Sequence, residues 1–354
     1  MKYRHPAIPD DFDDPPGPAG EAEETPEEDL WFLPPGPIDA DPDELPPGPR
    51  AEPGEGAVLA EWRQAEASLA ARLARVAGRF GALDERLRRG PEGWRHRLAL
   101  MEAADLSWFA GHRVSLDRLS LWVSMRLSGV QEDTGALSQV GWAARRLTGG
   151  PGPEAGLAGF LGRHDPDGTD GERIAERAES WSALMAAAAD LHPISRACMG
   201  FHLWALAGLG PQGDRMEAAV TAARAAAGEG RGAAFAPLAM GGAGGLRAGG
   251  APSERLARWC EGMDSACLAA LRHLEGIEAW SARAQTLMAP LSGRTPPMLR
   301  AALDEWPLLS APMAQTLTGA SRATVQRNLT WMETHGLIRE VTGQERFRMW
   351  KAVV

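Results

Sequence analysis

From residue 59 onward apolar residues recur three and four positions apart, and this property commits most of the chain to helices. Leu59, Trp62, Leu69, Leu73, Val76, Phe80, Leu83 and Leu87 form one such row, with Arg and Glu between them. A segment of that kind has an apolar stripe to bury and a charged face for water. Gly90-Pro91 interrupts it. Further helical runs are expected over 94–108, from 115, over 135–147, over 174–190, over 191–209 behind His192-Pro193, and over 253–291. Nothing over 59–150 alternates with a period of two, so no strand is expected there. The tryptophans of these runs sit among Leu and Ala and read as core.

The first 57 residues are of another kind. They hold 14 of the 27 prolines and 16 acidic against 3 basic side chains, a net of −13. The remaining 34 basic and 31 acidic residues leave +3 for 58–354, so the overall charge of −10 belongs to the tail. Such a composition buries too little apolar surface to offset its ordering entropy, and a disordered segment is expected over 1–57. Neither its start nor any later stretch offers an apolar run of about 18 residues, which points to a cytoplasmic protein without membrane association. Cys198, Cys260 and Cys267 lack metal spacing and read as buried thiols. Residues 165–176 have acids near calcium-loop spacing, but Asp170 stands where that loop needs glycine, so an exposed turn is expected. The glycine-rich stretch 230–250 has no preceding strand and no lysine-bearing phosphate motif, and reads as a close-packed loop. No metal or cofactor is expected.

The C-terminal 59 residues are organised differently, after a linker-like Ser-Gly-Arg-Thr-Pro-Pro at 292–297. Leu299, Ala302, Leu303 and Trp306 make a first helix. Pro312 suits the first turn of a second, with Met313, Ala314 and Leu317 as its apolar face, and Gly319 suits its left-handed end. Ser321 is placed to cap a third helix over 322–334, with Val325, Leu329 and Met332 turned inward. Strands are expected over 337–341 and 346–350 around a turn at 342–345.

Helix, turn, helix and hairpin in this order is the arrangement of a winged helix-turn-helix. Its last helix presents polar reach on the face opposite its buried stripe. Here that face carries Ala323, Gln326, Arg327 and Thr330, with Arg322 and Thr324 at the N-terminal end. Arg forks onto guanine and Gln onto adenine, so Arg322, Thr324, Gln326 and Arg327 are the expected base readers. Ser321, Arg346, Arg348 and Lys351 are expected on the phosphate backbone. The unit is only weakly basic, so a homodimer on double-stranded DNA is expected, and a protein-interaction module that never touches DNA is the alternative that the modest charge leaves open. The fold expected is mainly α: a helical bundle over 58–291 and a winged helix-turn-helix over 296–354, behind an acidic tail.

The C-terminal run REVTGQERFRMW, with SAPMAQTLTGASRATVQRNL before it, resembles a bacterial family of unknown function that joins a helical region to a C-terminal helix-turn-helix. The resemblance covers roughly 58–354 and implies a DNA-binding transcriptional regulator. Over the helical region the chain also resembles a degenerate Fic domain, the fold that transfers nucleotidyl groups to hydroxyls. His192-Pro193 matches the start of that family's motif, in which the histidine is general base. Its acid and its anion-binding glycines are missing, and Ala110 stands where the inhibitory helix would carry glutamate. A chain without enzymatic activity is therefore expected.

Overall fold

The helical periodicity is realised as thirteen α-helices among the described residues. The computed structural model describes residues 55–125, 134–162, 169–210, 215–228, 230–343 and 348–354. The disordered tail expected over 1–57 therefore lies almost wholly outside the described residues, as do residues 163–168 of the turn region and Arg346. The long row from Leu59 is two helices, α1 (Glu55–Ser68) and α2 (Ala70–Arg89), broken at Leu69. They are followed by α3 (Gly93–Phe109), α4 (Leu116–Met125), α5 (Thr134–Thr148), α6 (Leu157–Leu161), α7 (Thr169–Ala187), α8 (Pro193–Leu203) and α9 (Met216–Ala227). Then come α10 (Pro252–Met288), α11 (Thr295–Glu305), α12 (Ala311–Thr318) and α13 (Arg322–Thr334). Three short strands, β1 (Leu309–Ser310), β2 (Ile338–Glu340) and β3 (Met349–Ala352), complete the chain.

The 37-residue α10 is the axis of the molecule, with α1, α2, α8 and α11 packed around it. Leu256, Trp259, Met263, Leu274, Ile277 and Trp280 form its buried stripe. Burying one such side chain contributes about 1.5–3 kcal/mol. Exposed ion pairs along the same helix, such as Arg72 with Glu261, are screened by water and contribute far less. Apolar packing, not charge, therefore holds α10 in place. One point of close approach demands glycine: a Cβ on Gly262 would lie 2.8 Å from the backbone of Gly245, in the 3-10 turn over Ala243–Leu246.

Most tryptophans of the body are buried, Trp62, Trp94, Trp181, Trp204, Trp259 and Trp280 among them; Trp108, at 58% exposure near the end of α3, departs from the expectation. Leu317 departs likewise. It faces solvent on α12, and Thr318 takes the inward position with its hydroxyl donating to Ala314 O at 2.6 Å.

The glycine-rich stretch is a buried, irregular loop wrapped around two carboxylates of other helices. Glu102 of α3, fully buried, accepts the backbone N–H groups of Leu238, Ala239 and Met240 at 2.7, 2.9 and 3.0 Å. Asp84 of α2 accepts those of Arg231, Gly232 and Ala233 at 3.2, 2.8 and 2.7 Å. These amides would be the donors of a phosphate cradle, and the protein's own acids occupy them. Burial pushes Glu102 up to about 7, against the downward pull of its three N–H donors.

The three strands form one antiparallel sheet in the order β1-β3-β2, with Leu309 opposite Trp350 and Arg339 opposite Lys351. Its last strand extends to Ala352, two residues beyond the expected range, because Lys351 and Ala352 pair with Arg339 and Ile338 of β2. The joint between the C-terminal elements and the body is polar at its centre and buried. Arg97 of α3 donates to the carbonyls of Leu303 and Trp306 at 2.8 and 2.9 Å, covering the end of α11, and through Nε to His273 Nε2 at 2.7 Å. Trp280 Nε1 donates to Leu337 O at 2.6 Å and Arg283 to Val353 O at 2.5 Å.

Candidate nucleic-acid interface

Local chemistry fixes the two helices that carry the candidate residues. Ser310 caps α12 by accepting from Met313 N–H at 3.3 Å, and Pro312 occupies its first turn, where a missing N–H costs nothing. Gly319 ends α12 in the left-handed region, φ +63°, with its N–H on Gln315 O at 2.8 Å. Ser321 then accepts from Thr324 N–H at 3.3 Å and caps α13. The Ser321 and Thr324 hydroxyls also meet at 3.0 Å. Both hydroxyls are thus engaged in shaping the helix entry.

Val325, Leu329 and Met332 are fully buried against α11 and α12. This leaves Arg322, Ala323, Arg327 and Thr330 exposed, with Gln326 half-buried beside them. Ala323, Arg327 and Thr330 lie in one row of the helix surface and Arg322 and Gln326 in the next. One carboxylate, Glu333, continues the row of Arg322 and Gln326 two turns on. Its carboxylate is half-buried and met by Trp350 Nε1 at 3.4 Å and by Arg348 at 3.5 Å.

The candidate backbone contacts of the hairpin are distributed differently. Arg348 is tied to Glu333 and its guanidinium lies over the Trp350 ring, 5.1 Å from the centroid. Lys351 is half-buried and lines a cleft with Asp117, Pro307, Leu308 and Thr342, toward α4. The sequence reading passed over Arg339, which is exposed and directly across the ladder from Lys351. The period-two pattern of β2 marks it, since Ile338 is buried and the next residue must point out. Beyond it, Glu340 staples the start of the turn by accepting the N–H groups of Thr342 and Gly343 at 2.7 and 3.1 Å, and these bonds, led by the Thr342 hydroxyl, hold its carboxyl below the usual range.

His192 is occupied otherwise than as a base. Its Nδ1 accepts from Ile194 N–H at 3.2 Å and caps α8, while its own N–H donates to Glu66 at 3.0 Å. Burial lowers its pKa, which keeps the capping nitrogen unprotonated. Ile194, Ser195, Ala197, Cys198 and Met199, which follow, are buried in the helical core. Among the described residues no three His, Cys, Asp or Glu side chains converge as metal ligands would, and no helix is long and apolar enough to cross a membrane. Set against protein-family models and against curated proteins, the chain matches none.

Proposed function

We propose that the C-terminal elements form a winged helix-turn-helix and that the protein is a DNA-binding regulator, reading the major groove with α13. One observation carries this reading: the helix that buries Val325, Leu329 and Met332 turns Arg322, Ala323, Gln326, Arg327 and Thr330 outward, and the one acid on that face, Glu333, is paired with Arg348. A small residue at 323 lets the helix approach base edges, and the two arginines supply forked donors to guanine. Ser321, at the helix start, suits a phosphate contact, as helix N-termini do. Arg339 and Lys351 are the cations nearest a wing contact, whereas Arg348 serves to fasten the hairpin to α13. With so few free cations, one copy neutralises few phosphates, and binding as a homodimer on an inverted repeat supplies the rest. The occupation of His192 as a helix cap supports a binding protein over a nucleotidyl-transfer enzyme.

Selection of random duplex DNA with the full chain tests the proposal. Recovery of an inverted repeat by wild type and its loss with Arg322 and Arg327 both changed to Ala are expected. Arg327→Ala alone should weaken binding to the recovered site by about 1–3 kcal/mol, the worth of one forked base contact. Salt-sensitive binding with no enriched sequence would remove the base-reading role of α13.

A further inference from the structure

The carboxylate that clasps the end of the glycine-rich loop is held without a counter-cation. Glu102 has no exposed surface, and among the described residues its partners are three backbone amides: Leu238 and Ala239 donate to Oε1 and Met240 alone to Oε2. Asp105, three positions further along α3, is the one charge that bears on it, and it is of the same sign. On α10, burial and the Glu102 charge push the Cys267 thiol up to about 12, so it stays protonated. The buried faces of α5, of α9 and of the 3-10 turn over Ala243–Leu246, which all pack on α3, bring no titratable group. From α4 come the buried Leu119 and Ser120. Where α11 meets α3, Arg97 and Asp304 are taken up with carbonyls, His273, Ser281 and Arg300.

Neither charge state of Glu102 suits this place fully. Ionised, it satisfies all three N–H groups but keeps a charge where no water or cation reaches it. Protonated, it loses that charge, but one oxygen then carries a donor of its own. The proton comes from solvent and belongs on Oε2, the oxygen with a single bond, so Met240 N–H is the amide that gives way. Room for this movement exists directly behind Met240. Gly241 and Gly242 both have positive φ, +81° and +133°, and a Cβ on Gly242 would meet nothing within 4 Å. The start of the loop is fixed differently, since Asp84 is half-buried and water shares its charge.

We propose that Glu102 and the amides of residues 238–240 form a proton-operated latch: the ionised carboxylate holds the end of the glycine-rich loop on α3, and its protonation frees Met240 and the two glycines behind it while the rest of the fold stays closed. Burial raises Glu102 to about 7, so both states are populated near neutral pH. The folded value lies above the ordinary 4.5, so uptake of this proton between pH 8 and 5.5 favours the folded chain over the unfolded one. The loosening is therefore local and is not the onset of acid unfolding. It does not rest on DNA binding, because none of these residues belongs to the C-terminal elements.

The test is amide hydrogen exchange of the full chain by mass spectrometry across pH 5.5 to 8, with rates corrected for the pH dependence of free amides. Protection of a peptide covering 238–242 should fall by about tenfold or more toward pH 5.5, with a midpoint near 7, while peptides of α10 keep theirs. Glu102→Gln, neutral at every pH, should show the low protection throughout. Flat protection in wild type, a loss shared with α10, or a midpoint near 4.5 would overturn the proposal. So would wild-type pH dependence in Glu102→Gln. Should that variant fail to fold, the wild-type profile alone decides.

Discussion

Arg97 donates its Nε–H to His273 Nε2, which can accept only while the ring is unprotonated. Burial, with the Arg97 charge beside it, brings His273 down to about 4 from 6.5. The folded pKa is therefore below the unfolded one, so the unfolded chain takes up the proton first as pH falls. The stability that this ring contributes is complete above about pH 6.5 and is lost as pH falls toward 4, with a ceiling of about 3 kcal/mol from the linkage relation. His273→Gln keeps an acceptor and removes the titration. Urea unfolding at pH 7 and pH 4.5 should show a smaller acid loss in the variant than in wild type; identical losses would mean that another group sets the acid limit. None of this was legible in the sequence. Arg97 and His273 are 176 positions apart, and a lone histidine on a helix carries no sign of its partner.

At the scale of elements, legibility follows locality. The α12–α13 turn was readable because every feature acts within four residues: Ser310 on Met313, Gly319 on Gln315, Ser321 on Thr324. Gly319 has open space around its missing Cβ, so Gly319→Ala costs only the left-handed backbone, about 1–2 kcal/mol. Ser321→Ala should cost about 1 kcal/mol through the lost cap. Denaturant midpoints of the two variants check both figures, and a neutral Gly319→Ala would show that the turn relaxes out of that conformation. Three elements among the described residues escaped the periodicity argument, the five-residue α6 with α9 and β1. The helix α9 has alanines where a stripe of large residues would announce it, Ala218, Ala219, Ala222 and Ala223 being buried. The strand β1 is two residues long and exists only through its pairing with Trp350 and Met349. The glycine-rich loop was rightly expected to be close-packed, but the carboxylates that hold it come from helices more than a hundred positions earlier.

For the molecule as a whole, the sequence divides at 292–297 more sharply than the structure does. Residues 53–354 form one compact unit, and its C-terminal elements rest on Arg97, Trp280 and Arg283 of the body. A fragment of 296–354 would lose those donors and uncover Leu303 and Trp306, in a chain short enough that its own core contributes little. It should show a far lower melting midpoint than the full chain, or no cooperative transition, by circular dichroism. A fragment melting together with the full chain would show that the unit stands alone.

The Arg97 clamp sets a rule for anyone building chimeras from this protein. The convenient seam in the flexible-looking stretch before α11 would leave a buried guanidinium facing carbonyls that no longer exist, and an indole N–H with nothing to meet. A transplanted set of C-terminal elements would need to bring its own matching surface for α3 and α10, so the exchangeable part is a footprint on two helices and not a segment of chain.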